Sequence, residues 1–180
     1  MNSSSELIYF SGSGLSPKNS NSFNTDVLLL LNPCFIEETE LKGVKIINPL
    51  CHEDERGSFF ETFSTLSFNT SGIPFNFLQD NQVRSKKGVL RGLHYQLNKP
   101  QGKLVQVVVG SILDVAVDIR LGSPTFGKYQ IVKLSSENKK IFYIPEGFAH
   151  GYSVVSDISI VLYKCTNLYD YEDEYGIKWN

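Results

Sequence analysis

Two of the three histidines sit in glycine-punctuated, strand-like segments: His94 in Lys87-Gly88-Val89-Leu90-Arg91-Gly92-Leu93-His94-Tyr95-Gln96, and His150 in Pro145-Glu146-Gly147-Phe148-Ala149-His150-Gly151. A small β-barrel aims such residues inward. Imidazole, with an unperturbed pKa near about 6.5, is suited to taking a proton at neutral pH. Lys103 opens the apolar run Lys103-Leu104-Val105-Gln106-Val107-Val108-Val109. A buried ammonium beside a carbonyl oxygen stabilises an enolate, so His94 with Lys103 supplies half of a proton-transfer site next to a ketone. Taken singly, each has a plainer reading: His94 as a hydrogen-bonded core histidine, Lys103 as a strand-edge or surface lysine.

The elements that must hold these groups read as short strands. β-Branched runs at 44–47, 103–109, 112–118, 129–134, 140–144, 151–155 and 158–163 are separated by Gly, Pro or Asn, and no long, capped 3.6-residue pattern interrupts them. One short helical turn is expected near Thr62 to Asn69, and no repeat of fixed period is present. The fold class is therefore all-β, an antiparallel barrel or jelly roll. A length of 180 residues with 41% hydrophobic and 20% charged residues suits one domain. Residues 1–34, rich in Ser, Asn and Gly, read as a loose extension whose Val27-Leu28-Leu29-Leu30-Leu31 run is a candidate docking strand, and 35–180 as the folded domain.

Seventeen basic against nineteen acidic residues give a net charge of −2, so no global field favours nucleic acid or an anionic membrane, and neither is expected as a partner. The three cysteines, Cys34, Cys51 and Cys165, have neither disulfide-framework nor zinc spacing. The leucine run is too short to span a bilayer and lacks a basic flank, so no targeting segment is read and a cytoplasmic setting is expected.

The two histidine frames resemble the paired motifs of the cupins, with Gln96 and Lys103 standing where His and Glu metal ligands would be. An ammonium in place of a carboxylate repels a divalent ion, so metal binding is not expected. In this frame His94 and His150 would face one another across the barrel.

A more specific resemblance covers residues from about 35 to the end. It rests on Asp54-Glu55-Arg56-Gly57-Ser58-Phe59-Phe60-Glu61, Gln79-Asp80-Asn81, the segment from Gly88 to Gln96, Gly102-Lys103-Leu104-Val105, Asp118-Ile119-Arg120 with Ser123-Pro124-Thr125-Phe126-Gly127, and Ile144 to Gly151. Together these resemble the dTDP-4-dehydrorhamnose 3,5-epimerase family. The resemblance implies a cupin-like jelly roll and a cofactor-free enzyme acting on a dTDP-4-keto-6-deoxyhexose. In that role His94 would be the base, Tyr163 the proton donor and Lys103 the stabiliser of the C4 oxyanion. Tyr163 on its own would be read as strand packing.

By the same resemblance Arg56, Glu61, Gln79, Asn81, Arg91, His150 and Glu174 would hold the substrate, and Tyr169 would stack on the thymine. Forked arginine donors suit a diphosphate, while Gln and Asn suit the edges of a pyrimidine. Each residue taken alone is more simply a surface ion pair or turn contact; Arg56-Gly57 reads as a turn, and His52 matches nothing. The resemblance further implies a homodimer with exchanged N-terminal strands, which would place Arg56 and Glu61 near the neighbouring subunit's site.

The family's chain continues past a segment like Trp179-Asn180 to an Asp that pairs with the catalytic His. For these 180 residues by themselves the expectation is reduced turnover, with His94 less firmly oriented unless a local acid substitutes. Rival readings are an enzyme that inverts only C3 or only C5, a catalytically weak sugar-nucleotide-binding protein and, most distantly, a metal-dependent cupin oxygenase.

Overall fold

The computed structural model describes residues 34–180 apart from 70 and 75, so the polar head and its leucine run lie outside the described residues. Cys34, grouped with the head by composition, opens the first strand. In chain order the elements are β1 (Cys34–Glu38), β2 (Lys45–Pro49), β3 (His52–Asp54), β4 (Gly57–Phe59), α1 (Thr65–Asn69), β5 (Gln79–Lys86), β6 (Leu90–Gln96) and β7 (Lys103–Val109). Then follow β8 (Ser111–Asp118), β9 (Tyr129–Ser135), β10 (Ile141–Ile144), β11 (Phe148–Val154), β12 (Ile158–Cys165) and, after a 3-10 turn at Tyr171–Asp173, β13 (Glu174–Gly176).

These strands form a six-stranded sheet, β1-β2-β10-β7-β12-β5, and a five-stranded sheet, β13-β6-β11-β8-β9, with β3 and β4 as a separate hairpin. Neighbouring strands run antiparallel throughout, giving the all-β, cupin-like jelly roll.

Period-two alternation sets the core. Ile46, Val105, Val107, Phe142, Ile144 and Val161 point from the first sheet toward Ile112, Ala116, Val132, Leu134, Phe148 and Val154 of the second, all in one buried cluster. The intervening residues Ile47, Leu104, Ile141 and Tyr143 point outward, and Phe68 of α1 and Ile73 cover them in a second cluster. The strands β2, β10 and β7 of the six-stranded sheet are thus apolar on both faces where they meet, and read as near-continuous hydrophobic runs, whereas a strand with one wet face would alternate. Each such buried side chain contributes about 1.5–3 kcal/mol relative to exposure.

At one point the backbones press together. Gly92 on β6 has φ +107°, and a Cβ there would lie 2.5 Å from Gly151 Cα and 2.6 Å from His150 O. The reverse holds too, since a Cβ at Gly151 would lie 2.5 Å from Arg91 O. The pairing register of β6 with β11 shifts here, between His150 and Tyr152. Gly92→Ala is expected to cost roughly 2–3 kcal/mol, through overpacking and a strained φ, in urea denaturation. An unchanged midpoint would show that the strands tolerate separation here.

Candidate active site

Residues of six strands converge on a cleft of about 440 Å³ between the two sheets. His94 comes from β6 and His150 from β11, Lys103 from β7 and Tyr163 from β12, with Arg91, Tyr152, Tyr169 and Glu174 completing much of the wall. An adjoining cavity of about 260 Å³ shares His94, Lys103, Tyr163, Tyr169 and Glu174 and extends to Gln79 and Asn81.

The two histidines do not face one another across the barrel, as the cupin frame implied. They are cross-strand partners on adjacent strands of the same sheet. The other sheet contributes the phenol of Tyr163 to the same cleft, from strand β12 between β7 and β5. His150 is buried, and its Nε2 lies 2.8 Å from Oδ1 of the fully buried Asp114. The sequence reading missed Asp114. Its signal was a carboxylate on the inward face of Ile112-Leu113-Asp114-Val115-Ala116, where both apolar neighbours two residues away are wholly buried.

Lys103 shares the inward face of β7 with Val105 and Val107, and its backbone is flanked by Ile144 and Cys165. Burial pushes its ammonium below the ordinary lysine range, with attraction to Cys165, Asp114 and Glu174 offsetting part of the shift. Its Nζ has no hydrogen-bond or ion-pair partner among the described residues. Tyr163 is opposed by Val105 on one side and Asn81 on the other. Burial raises its phenol pKa, and proximity to Cys165 and Tyr152 adds to this, so the group holds its proton at neutral pH.

In the adjoining cavity a chain of contacts fixes Tyr169. Its backbone N–H donates to Gln79 Oε1 at 2.8 Å, Gln79 Nε2 donates to Asn81 Oδ1 at 2.9 Å, and the Tyr169 hydroxyl donates to Glu174 Oε2 at 3.1 Å. Glu174 Oε1 in turn lies 3.6 Å from His94 Nδ1, which makes Glu174 the acid beside the ring.

Gln96, at a cupin ligand position, spends its amide on the backbone. Nε2 donates to the carbonyls of Lys99 and Leu168 at 2.7 and 3.2 Å, and Oε1 accepts from the Asp170 N–H at 2.9 Å. Asp173 anchors the same loop, accepting from the N–H groups of Leu97, Asn98 and Lys99 and from the Asn98 side chain. Among the described residues no three or more His, Cys, Asp or Glu side chains gather as metal ligands.

Arg91 lines the cleft and donates through Nε to Ser85 Oγ at 3.1 Å. Arg56 and Glu61 do not reach this chain's own cleft. Arg56 lies in the turn between β3 and β4, where it pairs with Asp54 beside a separate hollow lined by His52 and Phe59. Glu61 accepts a hydrogen bond from Ser67 Oγ at 3.1 Å. His52 is exposed on β3. Among the described residues no helix is long and apolar enough to cross a membrane.

A jelly roll with an imidazole on one wall of a cleft, and a protonated phenol and an unpaired ammonium on the other, is the frame of an isomerase that moves protons next to a carbonyl. Comparison with known proteins narrows this class. The dTDP-4-dehydrorhamnose 3,5-epimerase family model matches residues 38–180, and the chain belongs to that family.

The dTDP-4-dehydrorhamnose 3,5-epimerase of Methanothermobacter thermautotrophicus is 53% identical over 143 residues, which are 79% of this chain and 77% of that protein. The crystal structure of dTDP-6-deoxy-D-glucose-3,5-epimerase from Legionella pneumophila in complex with dTDP-4-keto-L-rhamnose is 52% identical. It superposes with a TM-score of 0.79 over 81% of this chain and 78% of its own. The 3'-monoepimerase of Streptomyces bikiniensis in complex with dTDP-quinovose is 33% identical, with a TM-score of 0.74 over 78% of this chain and 72% of its own.

Proposed function

We propose that this chain inverts C3 and C5 of a dTDP-4-keto-6-deoxyhexose through enolate intermediates, in dTDP-rhamnose-type deoxysugar synthesis. The observation that carries the reading is the placement of His94 and Tyr163 on opposing sheets, with the ammonium of Lys103 in the same cleft and without a protein counter-ion. Inversion needs a base on one face of the sugar and an acid on the other. A C4 ketone acidifies the hydrogens at C3 and C5. His94 takes one of them, Lys103 stabilises the oxygen that becomes negative, and Tyr163 returns a proton from the far wall.

Arg91, with forked donors, suits the diphosphate; Gln79 and Asn81 suit the pyrimidine edges; Tyr169 offers a stacking face; and His150, fixed by Asp114, borders the sugar. Arg56 and Glu61 fit the reading as residues lent to the neighbouring subunit of a homodimer, since both are displaced from this chain's own cleft. Light scattering tests that assembly, and a strict monomer would count against it. The chemistry as written uses no cofactor, nucleic acid or membrane, and three free thiols accord with a cytoplasmic setting.

The similarity to a 3'-monoepimerase supports a second reading in which a single centre is inverted. Proton NMR of dTDP-4-keto-6-deoxyglucose with the protein in D2O separates the two. Loss of both the C3 and C5 signals with appearance of the inverted sugar supports the first, and loss of one signal the second. Bound ligand with neither signal lost would leave a sugar-nucleotide-binding protein.

A further inference from the structure

Three buried side-chain atoms have no hydrogen-bond partner among the described residues: Asp114 Oδ2, Ser159 Oγ and the hydroxyl oxygen of Tyr152. A buried polar group without a partner burdens the fold, so each one asks for a reason. Asp114 has one, since its other oxygen holds His150 at 2.8 Å. Ser159 is wholly buried opposite Ser85 of β5 and is not among the residues lining the cleft. Tyr152 is the one of the three that lines the cleft, although only 6% of the residue is exposed.

Its place on β11 fixes what it can meet. Tyr152 follows His150 by two residues, past the register shift, and the two rings lie 6.4 Å apart at 45°. Its backbone pairs with Arg91 on β6 and with Asp114 on β8. Ser85 Oγ comes near from β5, but it accepts from Arg91 Nε at 3.1 Å and stands outside hydrogen-bond geometry to the phenol. Tyr163 on β12 lines the same cleft, close enough that a charge on Tyr152 would raise its pKa.

Burial raises the pKa of the Tyr152 phenol, with Ser85 and Arg91 reducing the shift and Asp114 adding to it, so the hydroxyl keeps its proton at neutral pH. It can therefore both donate and accept. Arg91 and Asp114 bear on it with opposite signs, which leaves little net charge to draw an anion to this point. A neutral hydroxyl is the partner that such surroundings suit.

We propose that the Tyr152 hydroxyl is a specificity-determining contact that pairs with a ring hydroxyl of the hexose, at C2 or C3, when the sugar nucleotide fills the cleft. The inference rests on the reading of the cleft as a sugar-nucleotide site. In that reading Tyr163 and His150 both border the sugar, and Tyr152 borders the same space between His150 and Arg91. A phenol in this place discriminates in one direction. A hexose bearing the hydroxyl relieves the buried donor, whereas a deoxy analogue leaves it unpaired. Phenylalanine would close the same space with an apolar edge and hold the two sugars more evenly.

Calorimetric titration of wild type and Tyr152→Phe tests this, with dTDP and with dTDP-quinovose, a 6-deoxyhexose nucleotide that carries the ring hydroxyls and has no ketone to react. Tyr152→Phe should weaken dTDP-quinovose on the order of 10-fold and leave the Kd for dTDP unchanged. Its melting temperature without ligand should equal or exceed that of the wild type, because the change deletes an unpaired buried hydroxyl and keeps the ring.

Equal affinity of the two proteins for dTDP-quinovose would overturn the proposal, and a lowered melting temperature alongside it would mark a phenol bonded within the protein. An equal loss of affinity for dTDP would also overturn it, by assigning the contact to the nucleotide. Neither probe reacts, so the result is separate from the chemistry. A wild type that binds dTDP-quinovose more tightly than Tyr152→Phe does, yet exchanges neither the C3 nor the C5 proton in D2O, would refute the epimerase and support this contact.

Discussion

His94→Ala is expected to lower solvent-deuterium exchange at both C3 and C5 of the 4-keto sugar by about 10²- to 10⁴-fold, the usual worth of a placed general base. Both protons fall together because one imidazole faces the sugar from the β6 wall, and the neighbouring His150 cannot replace it. The second ring is buried and its Nε2 is taken by Asp114 at 2.8 Å. A small residual rate remains, since the ketone and Lys103 still acidify both carbons.

Tyr163→Phe provides the contrast. It removes the acid of the opposite wall and leaves the base, so deuterium should still enter at C3 and C5 while formation of the inverted sugar falls by about 10²-fold. The same D2O experiment reads both variants. Equal exchange in His94→Ala and wild type would overturn the base assignment, and equal inversion in Tyr163→Phe would overturn the donor.

What the sequence disclosed of this arrangement followed the burial of each strand. β8 and β9 were legible because their inward residues, such as Ile112 and Leu134, are apolar and alternate with others, and β7 and β12 because they are nearly continuous β-branched and apolar runs around Val105 and Val161. β5 was not, because its inward residues Gln79, Asn81 and Ser85 face polar groups of the cleft, so Gln79-Asp80-Asn81-Gln82 carries no hydrophobic period. The short turn near Thr62 to Asn69 appears as α1, with Phe68 buried against the outer face of the six-stranded sheet.

The site residues were legible as types and not as neighbours. Local spacing marked His94 and His150, but whether they oppose or adjoin depends on strand order, and β6 sits next to β11. Glu174 meets His94 only because β13 returns to pair with β6. Asp114 was hidden in an apolar run, where its burial is explained by a partner from another strand. The separation of Arg56 and Glu61 from the cleft likewise belongs to the β3–β4 hairpin and the segment after it, and no motif states it.

Lys103→Met should abolish most of the activity and leave the fold intact. In the proposed reaction the ammonium meets the C4 oxygen as it becomes negative, and losing one such donor costs about 10²–10³-fold in kcat. The cost to stability has the opposite sign. Burial lowers the pKa of Lys103, so the folded protein holds this proton less tightly than the unfolded chain. Between the lowered folded value and the ordinary lysine value near about 10.4, the unfolded state binds more protons, and stability rises with pH through that window. Below it the charged group is a standing burden on the fold, retained for what it does to the enolate.

Methionine of similar length removes the charge and keeps the packing, so the variant should melt at or above the wild-type temperature at neutral pH while exchange at C3 and C5 collapses. The pH dependence follows from the same shift. In the wild type the exchange rate should fall on the alkaline side as the ammonium loses its proton, at a pH below the ordinary lysine range, and this limb should be missing from Lys103→Met. A lowered melting temperature with exchange preserved would make Lys103 a structural residue and remove the oxyanion stabiliser from the mechanism.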